Sequence, residues 1–478
     1  MKISRTNIVT KRVFTITFCV VLLVCIISSP VIDLIHEVMV SIEEEMSVAL
    51  AVEHAQEDPS TVQPETGIED DASTSSSIND GTHASSSDDI KTYIPDFPVE
   101  WMSEAWKTFE YVDKKREQVA TPQALDTSYN RLAHGFLVRI DEGKLYINAD
   151  KELRSRQWKN ALESTKSPPE VLCPILEMLC NRKFDKNIDF LFNFADEPVG
   201  TYNNTPFPAF SWVKSNLNSD LLVPYPLSYR GIAREKPQNC DFTEEIESSW
   251  SSKKNIGIWR GATTGTTEFT VENWRDQWRP KLVSNCNANP DICDAKISGY
   301  VQARPEAVVQ MRQELGGESQ MSMDTQHQYK YAIMLDGNSA PSSRMLANLG
   351  SLSLIVKQES PFIEFFYPSL RAYYHYVPLS RSVEDVKYAV EWARQHDEEV
   401  KDMIASAKNF ACKHLNKDTI ENYVEYLFKE YAARFEGIRS TIPTEKLTLI
   451  SLEEGQHRVC PGFQSDSCPL LLGTYASV

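Results

Sequence analysis

The chain has 478 residues, room for about two domains plus extensions. Apolar residues make up 41% and aromatic residues 10%, enough to bury sizeable cores, which excludes wholesale disorder. The formal net charge of −18 is unevenly placed: residues 41–90 hold 13 Asp or Glu and no Lys or Arg, while residues 91–478 carry only −7. That balance argues against a nucleic-acid binder with a broad basic face.

Residues 13–29 carry no charge and follow Lys2, Arg5, Lys11 and Arg12. A basic flank before an apolar run is the pattern of a signal sequence, and the run is at the short end of a membrane span. No small-x-small cleavage site follows. The pattern predicts a cytosolic tail and signal-anchor over 1–36, with everything after it luminal; a cleaved signal peptide is the other reading. Residues 37–96 form an acidic, Ser/Thr-rich stem with too few large apolar groups to fold alone. Beyond the apolar span lie eight cysteines, at 173, 180, 240, 286, 293, 412, 460 and 468. An even count in an oxidising compartment favours disulfides over zinc. Cys173/Cys180, Cys286/Cys293 and Cys460/Cys468 could close short loops, but spacing leaves the connectivity open. Asn203-Asn204-Thr205 is a glycosylation acceptor.

From about residue 97 the pattern alternates helices and strands. Trp101 to Val119 reads as a helix with Trp101, Trp106, Phe109 and Val112 on one face. Short buried strands are expected at Ile188–Phe192, Ile256–Trp259, Leu352–Val356 and Tyr374–Val377. Helices follow over Val383–His414 and Ile420–Phe435. This alternation predicts an α/β architecture with two parallel sheets, whose ligands sit beyond the carboxyl ends of the strands.

There is no phosphate-binding P-loop, no G-x-G-x-x-G after a strand, no H-E-x-x-H, no G-x-S-x-G, and no D-x-D in the body. Three polar sets do fall at strand ends. Strand Ile256–Trp259 runs into Arg260-Gly261-Ala262-Thr263-Thr264-Gly265, where glycines permit close backbone approach and Arg and hydroxyls offer donors to phosphate oxygens. Taken alone it reads equally as a plain turn. Asp336-Gly337-Asn338 is followed by Ser342-Ser343-Arg344, either a simple N-cap or an anion site at a helix start. Asn193-Phe194-Ala195-Asp196-Glu197-Pro198 ends another strand, where an Asp before a turn proline can be purely structural.

Together these segments resemble glycosyltransferase family 90, the family of the protein O-glucosyltransferases and capsule-associated xylosyltransferases. Trp259-Arg260-Gly261-Ala262-Thr263-Thr264-Gly265 is similar to its W-R-G-x-x-x-G signature, Lys330-Tyr331 through Asp336-Gly337 to its K-Y-x-x-x-x-D-G stretch, and Ser342-Ser343-Arg344 to its S-x-R. Phe365-Phe366-Tyr367-Pro368, His375-Tyr376-Val377-Pro378 and Glu430-Tyr431-Ala432 complete a set spanning roughly 97–437. The resemblance implies a GT-B fold, two Rossmann-like domains facing a cleft. It implies inverting transfer of glucose or xylose from a UDP-sugar, without a metal or other cofactor, to a glycan or glycoprotein hydroxyl in the Golgi or endoplasmic reticulum. Residues 97–225 would take the acceptor, 226–414 the nucleotide-sugar, and 415–478 would return to the first domain. Asp196 matches the catalytic base in an N-x-x-D-x-P setting; Ser342 and Arg344 match donor-phosphate positions. Arg260, Gly261, Thr263, Thr264, Gly265 and Asp336 lie beside them, with Arg279 a further candidate. The O-glucosyltransferase members carry an Arg shortly after the W-R-G loop where this chain has Glu268, which leans the resemblance toward the capsule branch. The competing reading is a catalytically silent luminal glycan-binding or adaptor protein; the joint presence of Asp196 and Arg344 argues against it.

Overall fold

The computed structural model describes residues 96–449, apart from 133, 149–171, 183, 205, 226–228, 230–231, 233–236, 266 and 342; of Cys173 and Cys180 it describes the backbone alone. The described residues belong to a compact unit, Asp89–Val478. The signal-anchor at 13–29, the stem through residue 95, Ser342, Cys460 and Cys468 lie outside the described residues. Among the described residues no helix is long and apolar enough to cross a membrane.

The first half contains α1 (Ser103–Lys114), α2 (Pro122–Arg131), β1 (Gly135–Asp141), β2 (Lys144–Asn148), α3 (Cys173–Asn181), β3 (Ile188–Asn193), β4 (Ala209–Ser211), β5 (Lys214–Ser215) and β6 (Leu221–Leu222). The second half contains α4 (Thr243–Trp250), β7 (Lys254–Ala262), α5 (Trp278–Ala288), β8 (Cys293–Gly299), α6 (Pro305–Leu315), β9 (Tyr329–Met334), α7 (Ser343–Leu349), β10 (Leu354–Gln358), β11 (Phe362–Ile363) and β12 (Val377–Leu379). After these come α8 (Val386–Gln395), α9 (Asp397–His414), α10 (Lys417–Phe435) and β13 (Thr448–Leu449).

Among the described residues the first sheet runs β13-β2-β1-β3-β4-β6 and the second β12-β10-β9-β7-β8. The second is parallel throughout. The first is mixed, which corrects the expectation of two parallel sheets. Glu142 and Gly143 take positive φ of 47° and 72°, the two-residue turn that forces β1 and β2 into an antiparallel hairpin. Only β3, β4 and β6 run parallel there. The expected strand at Tyr374–Val377 starts at Val377, because Tyr373 has φ 54° and its N–H bonds Tyr376 O at 2.7 Å, closing a tight loop. The helical readings also break, at Lys115 and at His396, both outside helical geometry.

The second sheet decides where a ligand can lie. Its first strand in chain order, β7, sits between its second, β8, and its third, β9. Successive connections therefore leave β7 in opposite directions, and a crevice opens beyond the carboxyl ends of β7 and β9. Alternation along β9 serves two cores: Ala332 and Met334 join the core of the first half, while Tyr331 and Ile333 join that of the second. Helix α10 packs on the first half, with Phe428 stacked on Phe210 at 4.2 Å and Tyr431 Oη donating to Asp189 O at 2.8 Å. Disulfides join Cys286 to Cys293 and Cys240 to Cys412. The first is one of the short loops open from spacing; the second links positions 172 residues apart. Asn203 lies exposed on a 3₁₀ turn, Tyr202–Asn204.

Candidate functional site

Strand β7 leaves the sheet through Arg260, Gly261 and Ala262. A Cβ on Gly261 would stand 2.4 Å from the Trp259 ring, so only glycine lets the indole fold back under the strand end. The side chains that follow divide into two groups. Arg260 is buried and turned toward β8, its Nη2 bonding Asp294 Oδ2 at 2.9 Å. Thr263 is also buried; its Oγ1 donates to Val301 O at 2.6 Å and accepts from Val301 N–H at 2.7 Å, stapling the turn. Both are committed within the domain. Thr264, by contrast, points to Arg279, whose Nη1 donates to Thr264 Oγ1 at 2.5 Å. Gly265 N–H donates to Gln302 Oε1 at 3.2 Å.

Arg279, in the first turn of α5, ties the two strand ends together. Its Nε donates to Asp336 O and its Nη1 to Ala262 O, each at 2.7 Å, beside Trp278 Nε1, which donates to Asp336 O at 2.9 Å. Arg344, at the start of α7, donates through Nη1 to Arg260 O. Its neighbour Ser342 is outside the described residues. Burial, then the facing Arg344, push Arg279 down to about 9, with Asp336 acting the other way; burial also lowers Arg344. Both stay charged at neutral pH. Neither pairs with a carboxylate at ion-pair distance among the described residues, their bonds going to carbonyls and a hydroxyl. Two desolvated like charges are costly unless an anion joins them.

Asp336 is 5% exposed, and its N–H bonds Gln358 Oε1 at 3.0 Å. Burial pushes its carboxyl up to about 6, against the lowering influence of Ser360, Lys357, Arg279 and Arg381. Next to it, a Cβ on Gly337 would meet Arg279 Nη2 and Thr264 Oγ1 at 2.7 Å. Glycine here is what allows the β9 loop to close on the guanidinium. Sequence reading missed Lys357 and Glu364. Lys357, on β10, has its ammonium lowered by burial while Asp336 and Glu364 counter that. Neither residue sits in a spaced motif, and topology alone brings them to Asp336.

Asp196 lies in the turn after β3. The turn is held by buried Asn193, whose Nδ2 donates to Glu197 O at 2.8 Å and whose Oδ1 accepts from Ala195 N–H at 3.0 Å. Asp196 itself is exposed, and Asn338 Nδ2 donates to its Oδ2 at 3.4 Å. Asn338 comes from the same loop as Asp336 and Gly337, and its Oδ1 is buried with no partner among the described residues. Arg279, Thr264, Asp336, Gly337 and Arg344 thus converge at the ends of β7 and β9, and Asn338 reaches from there to Asp196. Arg260 and Thr263 do not join them. Glu268 is exposed and paired with Arg304 at 2.8 Å. Among the described residues no three His, Cys, Asp or Glu side chains gather as metal ligands.

Chemically, the arrangement offers two guanidinium groups for a phosphate-bearing group and, within reach of Asn338, an exposed carboxylate. Comparison with known proteins agrees in kind. Protein O-glucosyltransferase 2 of Danio rerio is 28% identical over 254 residues, covering 52% of this chain and 47% of that protein. Protein O-glucosyltransferase 3 of Rattus norvegicus is 29% identical over 268 residues, 54% of this chain and 49% of that protein. Protein O-glucosyltransferase 1 of Homo sapiens is 23% identical over 262 residues, 52% of this chain and 62% of that protein. The chain spans about half the length of the first two. None of these three supports the leaning toward the capsule branch taken from Glu268. The family model for glycosyl transferase family 90 matches residues 114–459, and the chain belongs to that family.

Proposed function

We propose that this chain is an inverting glycosyltransferase of GT-B type that moves glucose or xylose from a UDP-sugar to a hydroxyl of a glycan or glycoprotein. The observation that carries the reading is the pair of half-buried guanidinium groups, Arg279 and Arg344, at the switch point of the parallel sheet, with no carboxylate at ion-pair distance among the described residues. They would hold the diphosphate, and the loop from Asp336 to Asn338 would border the sugar.

On this reading Asp196 removes the proton of the acceptor hydroxyl as that oxygen bonds to the anomeric carbon. The bond from that carbon to the β-phosphate oxygen breaks, and UDP leaves with its growing charge met by Arg279 and Arg344. The proton ends on Asp196 and the configuration inverts. Transfer needs no divalent metal, because the two guanidinium groups supply the countercharge. The body works in the lumen of the Golgi or endoplasmic reticulum, anchored through residues 13–29. The disulfides support this location.

The test is a donor screen on the purified full-length chain, reading UDP release from UDP-glucose and UDP-xylose with and without EDTA. Release from one of them that persists in EDTA is expected. Activity abolished by EDTA and restored by manganese would reject the metal-free mechanism, and no release from any UDP-sugar would reject the reading.

A further inference from the structure

A second feature lies away from the switch point. Between the amino end of the described chain and α9 runs a groove of about 770 Å³, within the range of clefts that bind small molecules. Its polar lining mixes signs: Asp96, Glu100 and Asp418 against Arg371 and Lys413. Such a floor suits neither a polyanion nor an anionic membrane. It suits a ligand whose groups both donate and accept hydrogen bonds.

The groove continues into a row of exposed aromatic rings. Arg371 lines the groove and lies 4.2 Å from the centre of the Tyr374 ring. Tyr373 packs edge-on to Trp392 at 5.3 Å, and Tyr388 lies one turn before Trp392 on α8. Tyr373, Tyr374 and Tyr388 are 53%, 48% and 67% exposed. Folding normally hides such rings, and a contiguous exposed set marks a binding surface. While α8 carries Tyr388, the tight loop Arg371–Tyr376 fixes Tyr373 and Tyr374, with Arg371 N–H bonded to His375 Nδ1 at 3.0 Å and Tyr373 held at φ 54°. A bulky residue in that conformation is strained, and the loop maintains it.

We infer that this groove and its tyrosine rim form a second, non-catalytic carbohydrate site that takes an oligosaccharide chain. Pyranose rings present an apolar C–H face that lies flat on tyrosine, while their hydroxyls meet charged and amide groups of both kinds on the floor. The site would hold the extended glycan of the acceptor, or of its carrier, while transfer occurs elsewhere. The choice of ligand class rests on the glycosyl-transfer reading above.

The experiment is calorimetric titration of the full-length protein with cellohexaose and xylohexaose. At least one is expected to bind. The double substitution Tyr373→Ser, Tyr374→Ser should weaken that binding at least about tenfold, whereas Tyr374→Phe, which keeps the ring, should retain it. UDP binding and acceptor-free UDP release should match the parent in all variants. This separates the two readings, since loss of transfer chemistry in the parent leaves hexasaccharide binding measurable. The inference is overturned if neither hexasaccharide binds, if the double variant binds as the parent does, or if an unglycosylated acceptor peptide occupies the tyrosine rim instead.

Discussion

Asn338 Nδ2 lies 3.4 Å from Asp196 Oδ2, joining a loop of the parallel sheet to a turn of the mixed sheet. The two residues are 142 positions apart. The same loop carries Asp336, whose carbonyl accepts from Arg279, so one short segment touches both the Arg279 guanidinium and the Asp196 carboxylate. Asn193, not Asp196, holds the turn. That leaves the Asp196 carboxylate open to an incoming hydroxyl.

The guanidinium pair should make the protein responsive to its leaving group. UDP at a hundredfold excess over its dissociation constant should stabilise the fold by about 2.7 kcal/mol, read as a rise in Tm. A hydrogen bond to a charged group is worth about 1.5–3 kcal/mol. Arg344→Ala or Arg279→Ala should therefore weaken UDP binding at least roughly tenfold. An unchanged UDP-induced shift in both variants would remove the diphosphate assignment.

Gly337→Ala tests the close approach of the β9 loop. The added methyl would stand 2.7 Å from Arg279 Nη2 and Thr264 Oγ1, so Arg279 must move. Overpacking of this kind costs about 1–3 kcal/mol. UDP affinity should fall more than overall stability does, as calorimetry and urea melts on the same variant would report.

Asp336 gives a pH dependence with a definite sign. Its carboxyl is pushed up to about 6 from the ordinary 3.8, so between those values the native state holds a proton that the unfolded state has lost. Stability from this group therefore falls as pH rises from about 4 to about 6, by about 3 kcal/mol in order of magnitude. Asp336→Asn should remove that component. Equal pH dependence of urea unfolding in parent and variant would contradict the burial argument.

Parts of this were readable in the sequence. Strand β7 and its glycine-rich exit announce themselves because a β-rich run meets residues that need close approach. The long stripe of α10 is visible for the same reason, as apolar spacing. Which way a residue points at a strand end was not readable. Arg260 sits inside the best motif yet turns to Asp294 on β8, because both faces of β7 are covered and alternation gives no preference. Arg279 lies outside the motif and still clamps Thr264 and Asp336, since it is the sheet's winding that brings α5 to both. Lys357 and Glu364 meet the site only through topology, and nothing in the set Asp336-Gly337-Asn338 shows that Asn338 reaches Asp196. Cys240–Cys412 could not be foreseen, because no local spacing records a pairing across 172 residues.

That long disulfide should matter for stability. It ties the segment before α4 to α9, and removing a native bridge from a secreted domain typically costs about 2–5 kcal/mol. Paired Cys240→Ser, Cys412→Ser substitution should lower the urea midpoint, and reduction with dithiothreitol should then add less further loss than it causes in the parent. An unchanged midpoint would show that the bridge does not constrain the fold.

Asp196→Asn bears most directly on the account. Asn keeps the shape and an acceptor, and suits turns, but cannot take the proton. Loss of a general base typically lowers the rate about 10²–10⁴-fold. On one folded preparation, UDP binding by calorimetry should match the parent while sugar transfer falls by at least about a hundredfold. Transfer near the parent rate would contradict the account.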